Sequence, residues 1–255
     1  MSMRSFVLIS LVCVVGSACA TPDADPSAPS SENAVVLAPP TVTPPAAPPM
    51  AKEIHWFRNS AEYRAMTRQV YGIAGRTLDA AEHKGSWAVV LDIDETLLDN
   101  SQYQKENQGQ PFSQDLWTAW VNRKEAKAVP GASRFTNHVH ELGGKVVLVT
   151  NRMDATECPA TEVNLHALNI AYDAMLCRKE TGDKNLRFQA VASGTAVAGL
   201  PALEIVAFVG DSIGDFPAQT QELASKDDAA FAEFGTKFFV LPNPMYGSWE
   251  KNPQN

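Results

Sequence analysis

The stretch Ala88-Val-Val-Leu-Asp92-Ile-Asp94-Glu95-Thr96 constrains this chain more than any other. Its apolar, β-branched start reads as a buried strand, and the acids mark its end. Two aspartates leave that strand two positions apart, so strand alternation points their side chains into one crevice. Carboxylates placed there repel each other unless a cation or a shared proton relieves them. An aspartate nucleophile, a neighbouring aspartate acid/base and a bound Mg²⁺ answer that requirement. Phosphoryl transfer is the expectation that follows.

Strand signals at 87–93, the opening stretch, and at 145–150, 204–210 and 237–241 alternate with helical patterns. One helix is expected from Asn59, where Asn59-Ser-Ala-Glu62 resembles a capping box, with an apolar face of Tyr63, Met66, Val70, Ile73 and Leu78. Others are expected around Phe135, Val139 and Leu142 before Gly143-Gly144, and from Val163 to Leu168 after Pro159. The alternation predicts an α/β fold: a Rossmann-like parallel sheet with helices on both faces. Ligands of such sheets sit outside the carboxyl ends of the strands, where every candidate catalytic residue falls. Residues 99–130, polar and carrying Trp117 and Trp120, interrupt the pattern and read as a small, mainly helical cap.

The 255 residues accommodate one sizeable domain, here expected over 53–255, plus appendages. Twenty-nine acidic against 21 basic side chains give a formal charge of −8, with no basic cluster to track a nucleic-acid polymer. Residues 1–19 read as an export signal: Arg4, an apolar run from Phe6 to Val15, then small residues. Ala18-Cys19-Ala20 fits ordinary signal peptidase, whereas Gly16-Ser17-Ala18-Cys19 resembles a lipobox that would lipidate Cys19. Both readings give an exported protein, periplasmic or held at the outer membrane as a lipoprotein. Residues 20–52 form a proline-rich tether: nine of the chain's 17 prolines fall within 21–50, with three acids and no basic residue. In an oxidising compartment Cys158 and Cys177 could pair, closing a loop worth roughly 3 kcal/mol in the chain-entropy model. Two free buried cysteines are the alternative.

Four pieces carry the chemistry in order: Asp92-Ile-Asp94-Glu95-Thr96; Val149-Thr150-Asn151-Arg152; Lys184 with Arg187-Phe188; and Gly210-Asp211-Ser212-Ile213-Gly214-Asp215-Phe216. Together they resemble the haloacid dehalogenase superfamily. With Leu91-Asp-Ile-Asp-Glu-Thr-Leu-Leu-Asp-Asn-Ser101, Ala128-Val-Pro-Gly131 and Leu241-Pro-Asn-Pro-Met-Tyr-Gly-Ser-Trp249, they are similar to the bacterial class C acid phosphatases, which include 5′-nucleotidase lipoproteins. The match covers roughly residues 53–250.

The resemblance implies an exported, Mg²⁺-dependent acid phosphatase that hydrolyses small phosphomonoesters, nucleoside 5′-monophosphates or nicotinamide mononucleotide, through an aspartyl phosphate. Asp92 would be the nucleophile and Asp94 the acid/base. Asp92, Asp211 and the backbone carbonyl of Asp94 would hold the metal. Thr150 and Lys184 would grip the transferred oxygens, with Asn151 binding substrate and Asp215 orienting the metal or Lys184. Lys184 is preferred to nearby Lys179 because Arg187-Phe188 follows it as in the family. Trp117 and Tyr246 match positions where aromatic rings stack on a base; the alternative for Trp117 is ordinary core of the cap. A homodimer is implied, and the membrane is reached only through the lipid anchor. The alternative is a non-catalytic surface lipoprotein that binds haem or a nucleotide on the same fold. Gly210-Asp211-Ser212 also resembles an esterase nucleophile block, but all five histidines precede it, so that reading fails. His138 and His140 stand two apart on a helix and cannot share a face for zinc.

Overall fold

The computed structural model describes residues 49–254; the leader, Cys19 and nearly all of the tether lie outside the described residues. Five strands form one parallel sheet: β1 (Trp87–Leu91), β4 (Lys145–Met153), β5 (Ala174–Arg178), β6 (Glu204–Gly210) and β7 (Phe238–Val240). Their order is β5-β4-β1-β6-β7, which places β1 at the centre. All five residues of β1 are buried, as a strand covered on both faces requires.

Alternate residues of the sheet divide between two cores. Val89, Leu91, Val146, Leu148 and Val209 pack against α2 (Ala61–Ala80), α5 (Ala132–Glu141) and α6 (Cys158–Ala167). Ala88, Val90, Val147, Val149 and Phe208 pack with Phe188 and Val191 of α7 (Asn185–Ser193) and with Phe216 and Phe238. Each fully buried aliphatic side chain contributes about 1.5–3 kcal/mol, so this two-sided burial dominates the fold. The expected doubly covered parallel sheet is the one observed.

Between β1 and α5 the chain leaves the sheet. A two-residue antiparallel pair, β2 (Leu98–Asp99) with β3 (Lys127–Ala128), frames α3 (Ser101–Glu106) and α4 (Gln114–Arg123). This insertion is tied to the sheet by Glu157, 1% exposed. One Glu157 oxygen accepts Gln114 Nε2 and Thr118 Oγ1 of α4, both at 2.7 Å, while the other accepts Met153 N at 2.7 Å. Cys158 and Cys177 are joined by a disulfide, their Cα atoms 6.6 Å apart, so the start of α6 is bonded to β5.

Three local expectations are corrected. The cap at the start of α2 is Ser60, not Asn59. Ser60 is extended and its Oγ accepts Tyr63 N at 3.0 Å, whereas Asn59 ends a separate helix, α1 (Lys52–Asn59). The buried stripe of α2 is Tyr63, Thr67, Tyr71, Ala74, Gly75 and Leu78, while Met66 is 44% exposed. Small residues let this face approach α5: a Cβ on Gly75 would meet His138 at 3.6 Å. Strand β5 carries no strand signal in the sequence, because Ala-Met-Leu-Cys-Arg contains no β-branched or aromatic residue. Among the described residues no helix is long and apolar enough to cross a membrane.

Gly144 precedes β4, and a Cβ there would lie 2.3–2.6 Å from three atoms of the buried Trp87 ring. Trp87 is fixed by stacking on His83 at 3.9 Å between centroids. Gly144→Ala should therefore cost about 2 kcal/mol in urea unfolding, as overpacked cores do. An unchanged midpoint would show that Trp87 can move.

Candidate active site

The site follows from where strands end. Asp92 directly continues β1, its amide donating to Val209 O at 3.0 Å across the sheet. The chain then turns sharply: Leu97 N and Leu98 N both donate to Ile93 O at 2.8 Å, and Glu95 adopts a left-handed φ of 55°. A side chain in that conformation is uncommon and needs local support. Glu95, fully buried, receives it: its carboxylate accepts Asn100 N at 2.7 Å and the Tyr246 hydroxyl. Tyr71 adds a hydrogen bond from its hydroxyl to Thr96 O at 2.6 Å.

The other strands bring the remaining groups to the same edge. Lys184, at the start of α7 and 5% exposed, contacts Asp92 Oδ1 and donates to Asp215 Oδ1 at 2.6 Å. Asp215 also accepts Ser212 N at 2.9 Å, closing the turn after β6. A Cβ on Gly210 would lie 2.3 Å from Asp215, so glycine is required there. Asp211 is held from two sides: Oδ2 accepts Asn243 Nδ2 at 2.8 Å and Oδ1 accepts Thr96 Oγ1 at 3.3 Å. Thr150 is fully buried, and its Oγ1 accepts Arg152 N at 3.1 Å, which leaves its own proton to donate. Lys179 is surface-exposed, 4.0 Å from Asp154.

Asp92, Asp211 and Asp215 each place a carboxylate oxygen within 4.8 Å of the others. Burial, then the surrounding acids, push Asp92 up to about 7 despite the opposing pull of Lys184. Burial followed by Asp215 and Asp92 drives Asp211 well above its ordinary range. Burial alone would lower Lys184, but Asp215 and Asp92 outweigh it and keep the ammonium charged. Negative charge thus exceeds positive charge in a water-poor crevice, and the donors are all hard oxygens. That set fits a hard divalent cation.

Asp94 is not among those three. Its Oδ1 accepts Arg152 Nε at 2.9 Å, Arg152 Nη2 at 2.7 Å and Asn100 Nδ2 at 2.9 Å. Arg152 is 1% exposed and also donates to Thr161 Oγ1 at 2.7 Å and Asn100 Oδ1 at 3.1 Å. Trp120 Nε1 completes the network by donating to Asn100 Oδ1 at 2.9 Å. Trp117 lies beside this cluster, with its ring centroid 5.5 Å from the Arg152 guanidinium carbon and its edge against Tyr103. Asn151 is exposed and accepts Arg187 Nη2 at 2.6 Å. Tyr246 is half-buried, its hydroxyl spent on Glu95.

Sequence reasoning assigned no role to Arg152, Asn100, Glu95 and Asn243, and used Arg187 only to choose Lys184. Arg152 and Asn243 stand inside quoted motifs, so a charge and an amide at strand ends were available signals. Asn100 falls in the Leu91–Ser101 stretch, but its role depends on a fold-back from residue 100 to residue 94.

Sheet order and the acids at its carboxyl edge define a haloacid dehalogenase-like fold. The chain belongs to the HAD superfamily, subfamily IIIB (acid phosphatase), whose family model matches residues 24–249. It is similar to the class C acid phosphatase from Bacillus anthracis: TM-score 0.69, 30% identity, covering 78% of this chain and 85% of that one. The tungstate-bound structure of the Bacillus anthracis enzyme gives TM-score 0.67 and 29% identity, covering 79% and 90%. The stem 31 kDa glycoprotein of Glycine max is 25% identical over 167 residues, 62% of this chain. The matched region spans 58% of that soybean protein, under two thirds of its length.

The Asp94–Arg152 pair should behave as one unit. Breaking a buried pair from one side costs about 3–5 kcal/mol, and the 20% exposure of Asp94 argues for the lower end. In urea unfolding, Arg152→Met and Asp94→Asn should each destabilise, and the double variant should lose less than their sum. Strict additivity would mean that the two are not coupled.

Proposed function

We propose that this chain is a Mg²⁺-dependent phosphatase that hydrolyses small phosphomonoesters through an aspartyl phosphate on Asp92. The observation that carries this reading is Asp92 at the mouth of the central strand, touching Lys184 and sharing its crevice with Asp211 and Asp215. Asp92 attacks phosphorus in line, expelling the leaving oxygen; water later cleaves the acyl phosphate and regenerates the carboxylate. Lys184 and the free proton of Thr150 hold the transferred oxygens, because this chemistry is mostly positioning and charge stabilisation. Asp94 delivers a proton to the leaving alkoxide and recovers one from the attacking water. With three donors on its Oδ1, its Oδ2 is the oxygen left to carry that proton.

Asp92, Asp211 and the Asp94 carbonyl would hold Mg²⁺, which supplies charge neutralisation for the transferring group. Asp215, salt-bridged to Lys184, serves that lysine first. The raised positions of Asp92 and Asp211 support a resident cation, since burial and mutual repulsion otherwise favour protonating them.

For substrate, we favour nucleoside 5′-monophosphates or nicotinamide mononucleotide, gripped by a flat aromatic face. Trp117 supports this by its place beside the Arg152–Asp94 cluster; Tyr246 contributes a ring whose hydroxyl is already anchored. Export rests on the residue 1–19 pattern, with Cys19 either removed or lipidated, and the Cys158–Cys177 bond suits an oxidising compartment. By family likeness, the working form is a homodimer.

Phosphate release from a panel of phosphomonoesters, with and without Mg²⁺, tests the reaction. Asp92→Asn should lower turnover at least 10³-fold, about 4 kcal/mol of barrier, while the protein remains folded. Wild-type-like turnover would sink the mechanism, and no release from any ester by folded wild type would favour the binding lipoprotein. Trp117→Ala should raise KM for nucleotides about tenfold while hardly changing it for a small aryl phosphate, as loss of one stacking contact predicts. Equal losses on both would make Trp117 a cap residue only.

A further inference from the structure

A second cavity, of about 470 Å³, opens between the α1–α2 junction and the β2–β3 pair, and is lined by none of the residues assigned a catalytic, metal-binding or substrate-binding role. Its floor is aromatic: Phe57, Tyr63 and Trp120 are 1%, 2% and 3% exposed. Its rim is cationic, with Arg58, Arg64 and Lys127. Among the described residues, none of these three is ion-paired. Arg58 instead donates to two neutral acceptors, Ser101 Oγ at 3.0 Å and Gln102 Oε1 at 2.9 Å.

Two acids also line the cavity, but both are already engaged. Asp99 Oδ1 accepts Ser101 N at 2.8 Å, and Glu125 Oε2 accepts Arg123 Nε at 2.9 Å. The floor also holds the one buried side-chain polar atom without a hydrogen-bond partner among the described residues, the Tyr63 hydroxyl. Buried polar groups are ordinarily satisfied, so this corner is polar in a way the protein does not complete. Cations without ion-pair partners above an apolar floor are the complement of a molecule with an anionic head and a flat or apolar body. The volume lies within the range of small-molecule sites.

We propose that this cavity is a second ligand site, for a small organic anion. Its phosphate or carboxylate group meets Arg58, Arg64 and Lys127, and its body lies on Phe57, Tyr63 and Trp120. The site is wired to the catalytic centre by the chain itself. Asp99 and Ser101 line the cavity, whereas Asn100 between them donates to Asp94 at 2.9 Å.

The test is calorimetric titration of the full chain, in Mg²⁺, with three probes: phenylphosphonate, benzoate and inorganic phosphate. Wild type is compared with Arg64→Gln/Lys127→Gln, in which both substituted residues are exposed. For phenylphosphonate, the double variant should lose one bound equivalent, or bind it at least tenfold more weakly, with thermal unfolding unchanged. This difference is read against wild type, so it is independent of whether the catalytic centre also binds the probe. Benzoate occupying the same equivalent would assign it to oxyanions generally, and its failure would assign it to phosphoryl groups. Identical isotherms for the two proteins overturn the site. Inorganic phosphate filling that equivalent as tightly as phenylphosphonate overturns the role of the aromatic floor. Should the double variant unfold, Arg64→Gln alone carries the same expected direction.

Discussion

One buried ammonium organises the catalytic edge of this protein. Lys184 reaches Asp92 at the end of β1 and Asp215 beyond the end of β6, linking α7 to two neighbouring strands. Burying three such charges carries a penalty of several kcal/mol per ion, offset only by close geometry and further hydrogen bonds. Here the supporting bonds are visible: Ser212 N on Asp215, and Asn243 with Thr96 on Asp211. The requirement for glycine at 210 follows, because the Asp215 carboxyl occupies the space a Cβ would need. An apolar replacement would pack more cheaply. The retained charge imbalance is better explained by what the crevice must bind than by stability.

A separate buried network joins the cap to the sheet. Asn100 donates to Asp94, accepts from Arg152 and Trp120, and through its amide supports Glu95 in its left-handed turn. Glu157 performs the corresponding task on the other side, holding α4 to the β4–α6 junction. Both anchors are fully hydrogen-bonded polar groups in a dry setting, which fixes one arrangement more sharply than apolar contact alone. The disulfide at Cys158 lies next to Glu157 and bonds the same junction to β5. The position of the insertion over the strand ends is thus set by a few directional contacts at its base.

Legibility in the sequence varied with the range of the interaction. The central strand and its two aspartates were readable because a buried parallel strand is an apolar run and its end is a change of character. The order of four motifs points to Asp92, Thr150, Lys184 and Asp211; Lys184 contacts Asp92, Asp211 shares the crevice, and Thr150 stands buried in β4. Strand β5 was not readable, since an edge strand of Ala, Met, Leu, Cys and Arg has no propensity to display. The cap at Ser60 was missed by one residue because Asn and Ser are both good caps, and only backbone geometry chooses between them. Arg152 and Asn100 stand in readable motifs, but their contacts were hidden for a deeper reason. Their partners are 58 and 6 residues away, and nothing in local pattern encodes a contact made by folding back.

The two aspartates of the opening motif illustrate how one turn separates chemical roles. Both leave the same strand, yet Asp92 meets a lysine shared with another acid, while Asp94 meets the forked guanidinium of Arg152 and an amide. Lysine is a compact charge on a mobile stem, able to follow an oxygen that changes its bonding during attack. Arginine is a planar clamp that holds one carboxylate oxygen in place and leaves the other free. In the proposed mechanism Asp92, as nucleophile, has the first kind of neighbour, and Asp94, as proton carrier, has the second. Division of labour between neighbouring carboxylates is the general means by which one site runs both halves of a displacement. Here the turn at Glu95 supports that division by folding the chain back, so that Asn100 reaches Asp94 while Asp92 keeps Lys184.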